Sequence, residues 1–216
     1  SISVEESVKD PFKYYRNNVE GTYNVINNYP SKNIIFSSTA TAFNPTSPYA
    51  QSKLMAESIV KAHAKKFTTF RFFNVAGNNG EFSQTGPSTH LIRIAAQAAA
   101  SKRAFIKVNG TDWPTKDGTC VRDYIHVMDV VDSIFQAVKK PSSNDYDCVG
   151  TGKGYSVNQV INTMKKVTGI NFPVKYGPRR QGDAASILIP KGEPIYNQCK
   201  YSLEDMCLSA YQAEIK

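Results

Sequence analysis

Asn33-Ile34-Ile35-Phe36-Ser37-Ser38, then a helix-like stretch from Pro48 to about Lys66, then Thr68-Thr69-Phe70-Arg71-Phe72-Phe73 decide the fold. The first run is short, apolar and closed by hydroxyls, as buried parallel strands are. The stretch after it is long enough to carry the chain back across a sheet, and the third run is a second strand. Upstream, Asp10-Pro11 opens a helix, with Asp as N-cap and Pro in the first turn. Tyr15, Val19, Thr22 and Ile26 continue it at 3/4 spacing, and Pro30-Ser31 closes it. Downstream, a helix is expected over Thr89–Lys102, a strand over Ala104–Val108, a strand over Val121–Val127 and a helix over Asp129–Lys140. A strand at Tyr146–Val149 follows. Ser156-Val157-Asn158-Gln159 is a capping box, Gly169 stops the helix it starts, and Ser202 starts the last helix. Strands alternating with helices of this length make an α/β protein with a parallel sheet.

Composition narrows the function classes. The 216 residues are 41% apolar and 20% charged, a globular balance. No run approaches a membrane span, and no basic-plus-apolar leader argues for secretion. The net charge is +8, with 13 basic and 6 acidic residues over 1–108 and 13 and 12 over 109–216. The basic residues come as scattered pairs, Lys65-Lys66, Lys139-Lys140 and Lys165-Lys166, late in helical stretches where cations suit the dipole. A nucleic-acid surface would cluster them with aromatics, so none is expected. Cys120, Cys148, Cys199 and Cys207 form no CxxC and no zinc spacing, so reduced thiols in a cytoplasmic protein without a metal are expected.

Tyr49 and Lys53 stand four apart at the start of a helix and project from one face. A nearby ammonium and the helix N-terminus both favour the phenolate, so a phenol lowered towards neutral pH is expected at Tyr49. Tyr-x3-Lys by itself also describes an ordinary surface pair. Ser37-Ser38-Thr39 stands at the carboxyl end of the preceding strand, and Asn74 at the end of the next, where open α/β sheets bind ligands. Three polar groups on successive strand ends point to a site.

Three segments, Tyr14-Tyr15-Arg16-Asn17-Asn18-Val19-Glu20-Gly21-Thr22, Ile35-Phe36-Ser37-Ser38-Thr39-Ala40-Thr41 and Ser47-Pro48-Tyr49-Ala50-Gln51-Ser52-Lys53-Leu54-Met55, resemble the UDP-glucose 4-epimerase family of the extended short-chain dehydrogenases/reductases. The likeness continues through Arg71-Phe72-Phe73-Asn74-Val75-Ala76-Gly77. It is most specific at Asp117-Gly118-Thr119-Cys120-Val121-Arg122-Asp123-Tyr124-Ile125-His126-Val127, and it returns at Pro178-Arg179-Arg180-Gln181-Gly182-Asp183.

The resemblance implies a Rossmann-type doubly wound parallel sheet with a smaller C-terminal α/β substrate domain. Residues 1–75 would be the later part of the NAD-binding domain and 76–216 mainly the nucleotide-sugar domain, with 120–140 returning to the Rossmann sheet. Tyr49 would be the catalytic base, Lys53 its partner on the nicotinamide ribose, and Thr39 the relay to the sugar 4-hydroxyl. Asn17 or Asn18, with Ser37, Ser38 and Phe73, would border the cofactor, NAD. Asn74, Arg122 and Arg180 would hold the substrate diphosphate, and Asp183 the uridine ribose. His90 and Leu91 would line the nucleotide, although the family more often has Asn-Leu there. Ile187 would gate the sugar pocket. The implied reaction is redox-neutral: the C4 hydride of a UDP-hexose goes to NAD, the 4-keto sugar turns over, and the hydride returns to the other face. A homodimer is implied as well.

Paired Arg side chains suit a diphosphate without any family argument, because the planar fork donates bidentately. An Arg122-Asp123 ion pair and a solvated Arg179-Arg180 loop are the plainer explanations of the same residues. No glycine-rich dinucleotide fingerprint occurs in the chain. The resemblance places it ahead of Ser1, with on the order of eighty residues, so these 216 residues are expected to belong to a longer enzyme. A family loop of on the order of fifteen residues is also expected between the positions of Phe43 and Asn44. Related dehydratases place an Asp-Glu pair directly after the catalytic Thr; here Ala40-Thr41 follow Thr39. An enzyme acting on UDP-glucuronate and a non-catalytic scaffold also compete with the epimerase expectation.

Overall fold

The computed structural model describes residues 2–29, 32–81, 86, 88–196 and 198–216. The chain forms two compact units, one of Ser1–Phe72, Asp132–Val149 and Pro190–Asn197, the other of Phe73–Val131, Gly150–Ile189 and Gln198–Lys216.

The first unit opens with helices α1 (Val4–Lys9) and α2 (Pro11–Tyr14), a π-helical turn over Tyr15–Glu20, and α3 (Gly21–Asn28). Asp10 caps α2 with its side chain and Pro11 fills the first turn, as expected. The continuous helix expected from 3/4 spacing is therefore interrupted. A π turn takes one more residue than an α turn and shifts the inward stripe. Tyr14 and Asn18 are buried, while Tyr15 and Val19, expected inside, are half-buried. The stop expected at Pro30-Ser31 lies outside the described residues.

Strands β1 (Asn33–Thr39), β2 (Lys66–Phe72) and β6 (Asp147–Val149) form a parallel sheet in the order β1-β2-β6. A 3-10 turn (Ala40–Phe43) and helix α4 (Pro48–His63) make the β1-to-β2 crossover. Ser47 caps α4 by accepting from the Ala50 amide, and Pro48 occupies its first turn. Phe70 and Val60 are fully buried, each contributing about 1.5–3 kcal/mol by leaving water.

The second unit holds β3 (Asn74–Ala76), α5 (Leu91–Ala99), β4 (Ile106–Asn109) and β5 (Val121–His126). Beyond these come β7 (Gly154–Ser156), α7 (Val157–Thr168), β8 (Val174–Gly177), β9 (Ser186–Ile187) and α8 (Leu203–Ile215). Ser156 and Gln159 complete the capping box of α7, and Gly169 ends it in the left-handed conformation. Ile106, Val160, Met164 and Met206 form the centre of a core drawn from α5, β4, α7 and α8. The remaining helix, α6 (Val127–Lys139), carries the chain across the division between the units.

Residues 120–140, expected to return to the Rossmann sheet, divide between the two units at Asp132. β5 pairs with β3 in parallel, with β7 in antiparallel and with β9 in parallel, all within the second unit. The strand that extends β1-β2 is β6, and residues return to the first unit only from Asp132.

One close approach in the second unit requires glycine. Gly77 has φ of +80°, and a Cβ there would stand 2.4 Å from Cδ2 of His126. His126 is 2% exposed; its Nδ1 accepts from the Met128 amide, so its Nε2 donates to Ser209 Oγ at 3.1 Å. Gly77→Ala is expected to destabilise the fold by about 2–5 kcal/mol, from left-handed strain plus overpacking. A urea melt checks it; a midpoint equal to the parent's would refute this account of Gly77.

Candidate functional site

In the first unit, β1 brings Thr39 to the carboxyl end of the sheet, and the capped start of α4 brings up Tyr49. The Thr39 hydroxyl is near enough to the Tyr49 phenol to favour its phenolate form. Thr39 Oγ1 also accepts from the Thr41 amide at 3.3 Å, so it ends the strand and caps the 3-10 turn. The Tyr49 ring meets the buried Tyr14 ring edge-on at 6.2 Å. Ser52 Oγ donates to the Tyr49 carbonyl at 2.8 Å and accepts from Asn18 Nδ2 at 3.0 Å. The π turn thus points Asn18, and not the exposed Asn17, at the helix that carries Tyr49.

The expectation of a lowered phenol at Tyr49 is not met. Burial raises its pKa, and the Thr39 hydroxyl beside it only partly opposes that. Lys53 does not counter the burial, because Nζ is engaged elsewhere: it donates to the Ser37 carbonyl at 2.7 Å and lies 5.0 Å from the centre of the Phe36 ring. Burial also lowers the Lys53 amine, against the opposing charge of Glu57.

The two serines separate. Ser37 faces solvent, whereas Ser38 is 4% exposed and donates to Glu57 Oε1. Glu57 is held on its other side by Arg71, through Nε at 2.9 Å and Nη2 at 2.6 Å. Sequence reasoning singles out neither Glu57 nor Arg71. The signals that could have found them are the four-residue step from Lys53 to Glu57 and an arginine inside an apolar strand, which demands a partner.

In the second unit, a cavity of about 290 Å³ is lined by Asn74, His90, Leu91, Arg122, Arg180 and Asp183, six of the expected substrate residues. Lys107, Asn109 and Cys120 share the wall and were not anticipated. Asn74 Nδ2 donates to the Asp123 carbonyl at 3.0 Å, Arg122 donates to the Val121 carbonyl at 2.8 Å, and Arg180 donates to Asp183 Oδ1 at 2.6 Å. Asp123 does not pair with its neighbour Arg122, since alternate strand residues face opposite ways. It is fully buried and accepts from the Thr151 amide and hydroxyl and from the Gly152 amide. Burial raises its pKa despite these bonds. Phe73 is 6% exposed and packs against Gly150. Ile187 sits opposite Arg122 in the β5–β9 ladder and is not among the cavity-lining residues.

No helix among the described residues is long and apolar enough to cross a membrane. Residues 1–149 match the NAD dependent epimerase/dehydratase family. The UDP-glucose 4-epimerase of Lacticaseibacillus casei is 37% identical over 212 residues, covering 86% of this chain and 64% of the relative; that of Bacillus subtilis is 34% identical over 243 residues, covering 97% and 71%. The chain thus spans less than two thirds of the first of these. The solved UDP-glucose 4-epimerase of Bifidobacterium longum, in complex with NAD+ and UDP, superposes with a TM-score of 0.87 at 30% identity, covering 98% of this chain and 73% of that one. The UDP-Glc/GlcNAc 4-epimerase of Campylobacter jejuni gives 0.74 at 36% identity, covering 99% and 74%. With a parallel sheet, a Tyr-x3-Lys helix and matches of this extent, the chain belongs to the NAD dependent epimerase/dehydratase family.

Proposed function

We propose that the protein interconverts UDP-glucose and UDP-galactose by an NAD-dependent epimerisation at C4. The observation that carries this is the placement of Thr39, at the end of a parallel strand, where its hydroxyl acts on the Tyr49 phenol, with Lys53 one turn along the same helix. Thr39 receives the proton of the sugar 4-hydroxyl and passes it to Tyr49, and the same path returns it. Arg122 and Arg180 bind the diphosphate, with Asn74 beside them, while Asp183, His90 and Leu91 hold the nucleoside.

The donor set fits the nicotinamide-ribose end of NAD. Lys53 has three N–H donors and gives one to the Ser37 carbonyl, so others are available to ribose hydroxyls. Tyr49, Asn18 and the Ser37 hydroxyl complete that set. The glycine-rich turn that would cradle the pyrophosphate does not occur in these 216 residues. When bound, NAD supplies the hydride acceptor and donor for the sugar C4. Domain roles follow the two units, with proton handling in the first and nucleotide-sugar binding in the second. A cytoplasmic homodimer belongs to the same proposal, supported by the four free thiols and by Phe12, Tyr23 and Met55, which are 82%, 46% and 49% exposed.

The test is direct. The protein isolated from its native source is expected to release NAD on denaturation, seen by absorbance, and to convert UDP-galactose to UDP-glucose. Absence of both would overturn the proposal. Ile187, beside Arg122, sets the preference among sugars. An aliphatic side chain of this size is expected to favour plain hexoses over N-acetylated ones by about tenfold in kcat/KM. Equal kcat/KM on UDP-glucose and UDP-GlcNAc would disprove that role.

A further inference from the structure

We propose that the buried Glu57–Arg71 pair is a positioning device for Thr39 and Lys53, built into the sheet behind the proton relay. This rests on the roles given above to Tyr49, Thr39 and Lys53. Glu57 lies on α4, one turn beyond Lys53 and two beyond Tyr49. Arg71 lies on β2, directly opposite Ser38 in the β1–β2 register, with Phe72 opposite Thr39. Their side chains are 10% and 7% exposed.

The geometry brackets Thr39 from both sides. The Glu57 carboxylate takes the hydroxyl of Ser38, the residue just before Thr39. The Arg71 guanidinium lies 4.5 Å from the centre of the Phe43 ring, in the 3-10 turn just after Thr39, and 3.6 Å from that of Tyr146. One ion pair therefore fixes the backbone entering and leaving position 39 and ties it to the helix that carries Tyr49. A planar fork is required, because the same group must bond a carboxylate through two nitrogens in its plane while its central carbon lies over two ring faces. A pair with this burial is a poor source of net stability, since desolvation offsets the attraction. Accurate placement is a better physical reason for it to be there.

The same carboxylate acts on Lys53. Around that amine stand the Ser37 carbonyl and Phe36 ring of β1, with Glu57 one turn on along α4 and Arg71 behind it. The charges on the helices packed against α4 are matched among themselves: Glu5 with Lys9, Glu6 with Lys13, Arg16 with Glu20. Glu57 is the group that favours the ammonium form of Lys53 against burial.

The experiment compares Glu57→Gln, Arg71→Lys and Ser38→Ala with the parent, all expressed from the complete coding sequence, with folding checked by near-ultraviolet circular dichroism. Glu57→Gln and Arg71→Lys are each expected to lower kcat by about tenfold or more, as a displaced relay would, with KM within about twofold. Ser38→Ala leaves the ion pair in place and is expected to lower kcat by about threefold to tenfold, one hydrogen bond's worth of positioning. Acetic anhydride labelling of lysine amines against pH, read by peptide mass spectrometry, follows Lys53 independently of turnover. Its midpoint is expected to fall in Glu57→Gln. Folded Glu57→Gln with parental kcat and an unmoved Lys53 midpoint would overturn the proposal. Should Glu57→Gln not fold, Ser38→Ala decides, and parental kcat there overturns it. If the parent itself turns over neither UDP-hexose, the epimerase assignment falls, and the Lys53 labelling comparison still decides for or against the pair.

Discussion

Replacing Tyr49 by Phe is expected to reduce kcat for UDP-galactose by about 10²- to 10⁴-fold, the range for loss of a positioned proton-transfer group. The ring keeps its edge-on contact with Tyr14, so little loss of fold is expected. KM should change far less than kcat, because in the proposed reaction the phenol takes part in proton transfer and not in nucleotide binding. The sign of the pH dependence follows from burial. The Tyr49 phenol is raised above its ordinary value, so the phenolate fraction, and with it kcat, should climb as pH rises. Tyr49→Phe should remove that climb along with the rate. Steady-state assays across pH check both; a variant with the parental rate would remove Tyr49 from the chemistry altogether.

The second large effect is expected at the arginines of the cavity. Arg122→Ala and Arg180→Ala should each weaken UDP binding by about tenfold to a hundredfold, the worth of a charge-assisted hydrogen bond to phosphate. Arg180 is held by Asp183 at 2.6 Å. Arg122→Lys should restore little, because an ammonium cannot donate as a planar fork. Titration calorimetry with UDP measures all three. A dissociation constant unmoved in both alanine variants would place the diphosphate elsewhere.

Long elements were legible because their signals are local. Pro48 at a helix start, the Ser156–Gln159 box and Gly169 each act within one turn, and each stands where expected. Strands of two to four residues, such as β3, β8 and β9, carry no period long enough to read. The Arg122, Arg180 and Asp183 cluster could be named because it lies in motifs, yet the sharing of Asp183 by Arg180 is a feature of folded geometry. One failure has a plain cause. A lowered phenol at Tyr49 follows from Lys53 four residues on only if the amine turns towards it, and helix spacing says which residues share a face, not where a flexible amine points. The Arg122-Asp123 ion pair, the plainer alternative in sequence, does not form, because a strand sends the two in opposite directions. Glu57 and Arg71, far apart along the chain, meet only because β1 and β2 pair in one register.

The π turn at Tyr15–Glu20 has an evolutionary consequence. It is an extra residue carried inside a helix, and it is what brings Asn18 to Ser52. Deleting any one position between 15 and 20 would let regular winding resume with the flanking turns in phase, but the wide turn that sets Asn18 against Ser52 would be lost. Drift along this lineage can exchange the letters of that segment, but it cannot readily shorten it.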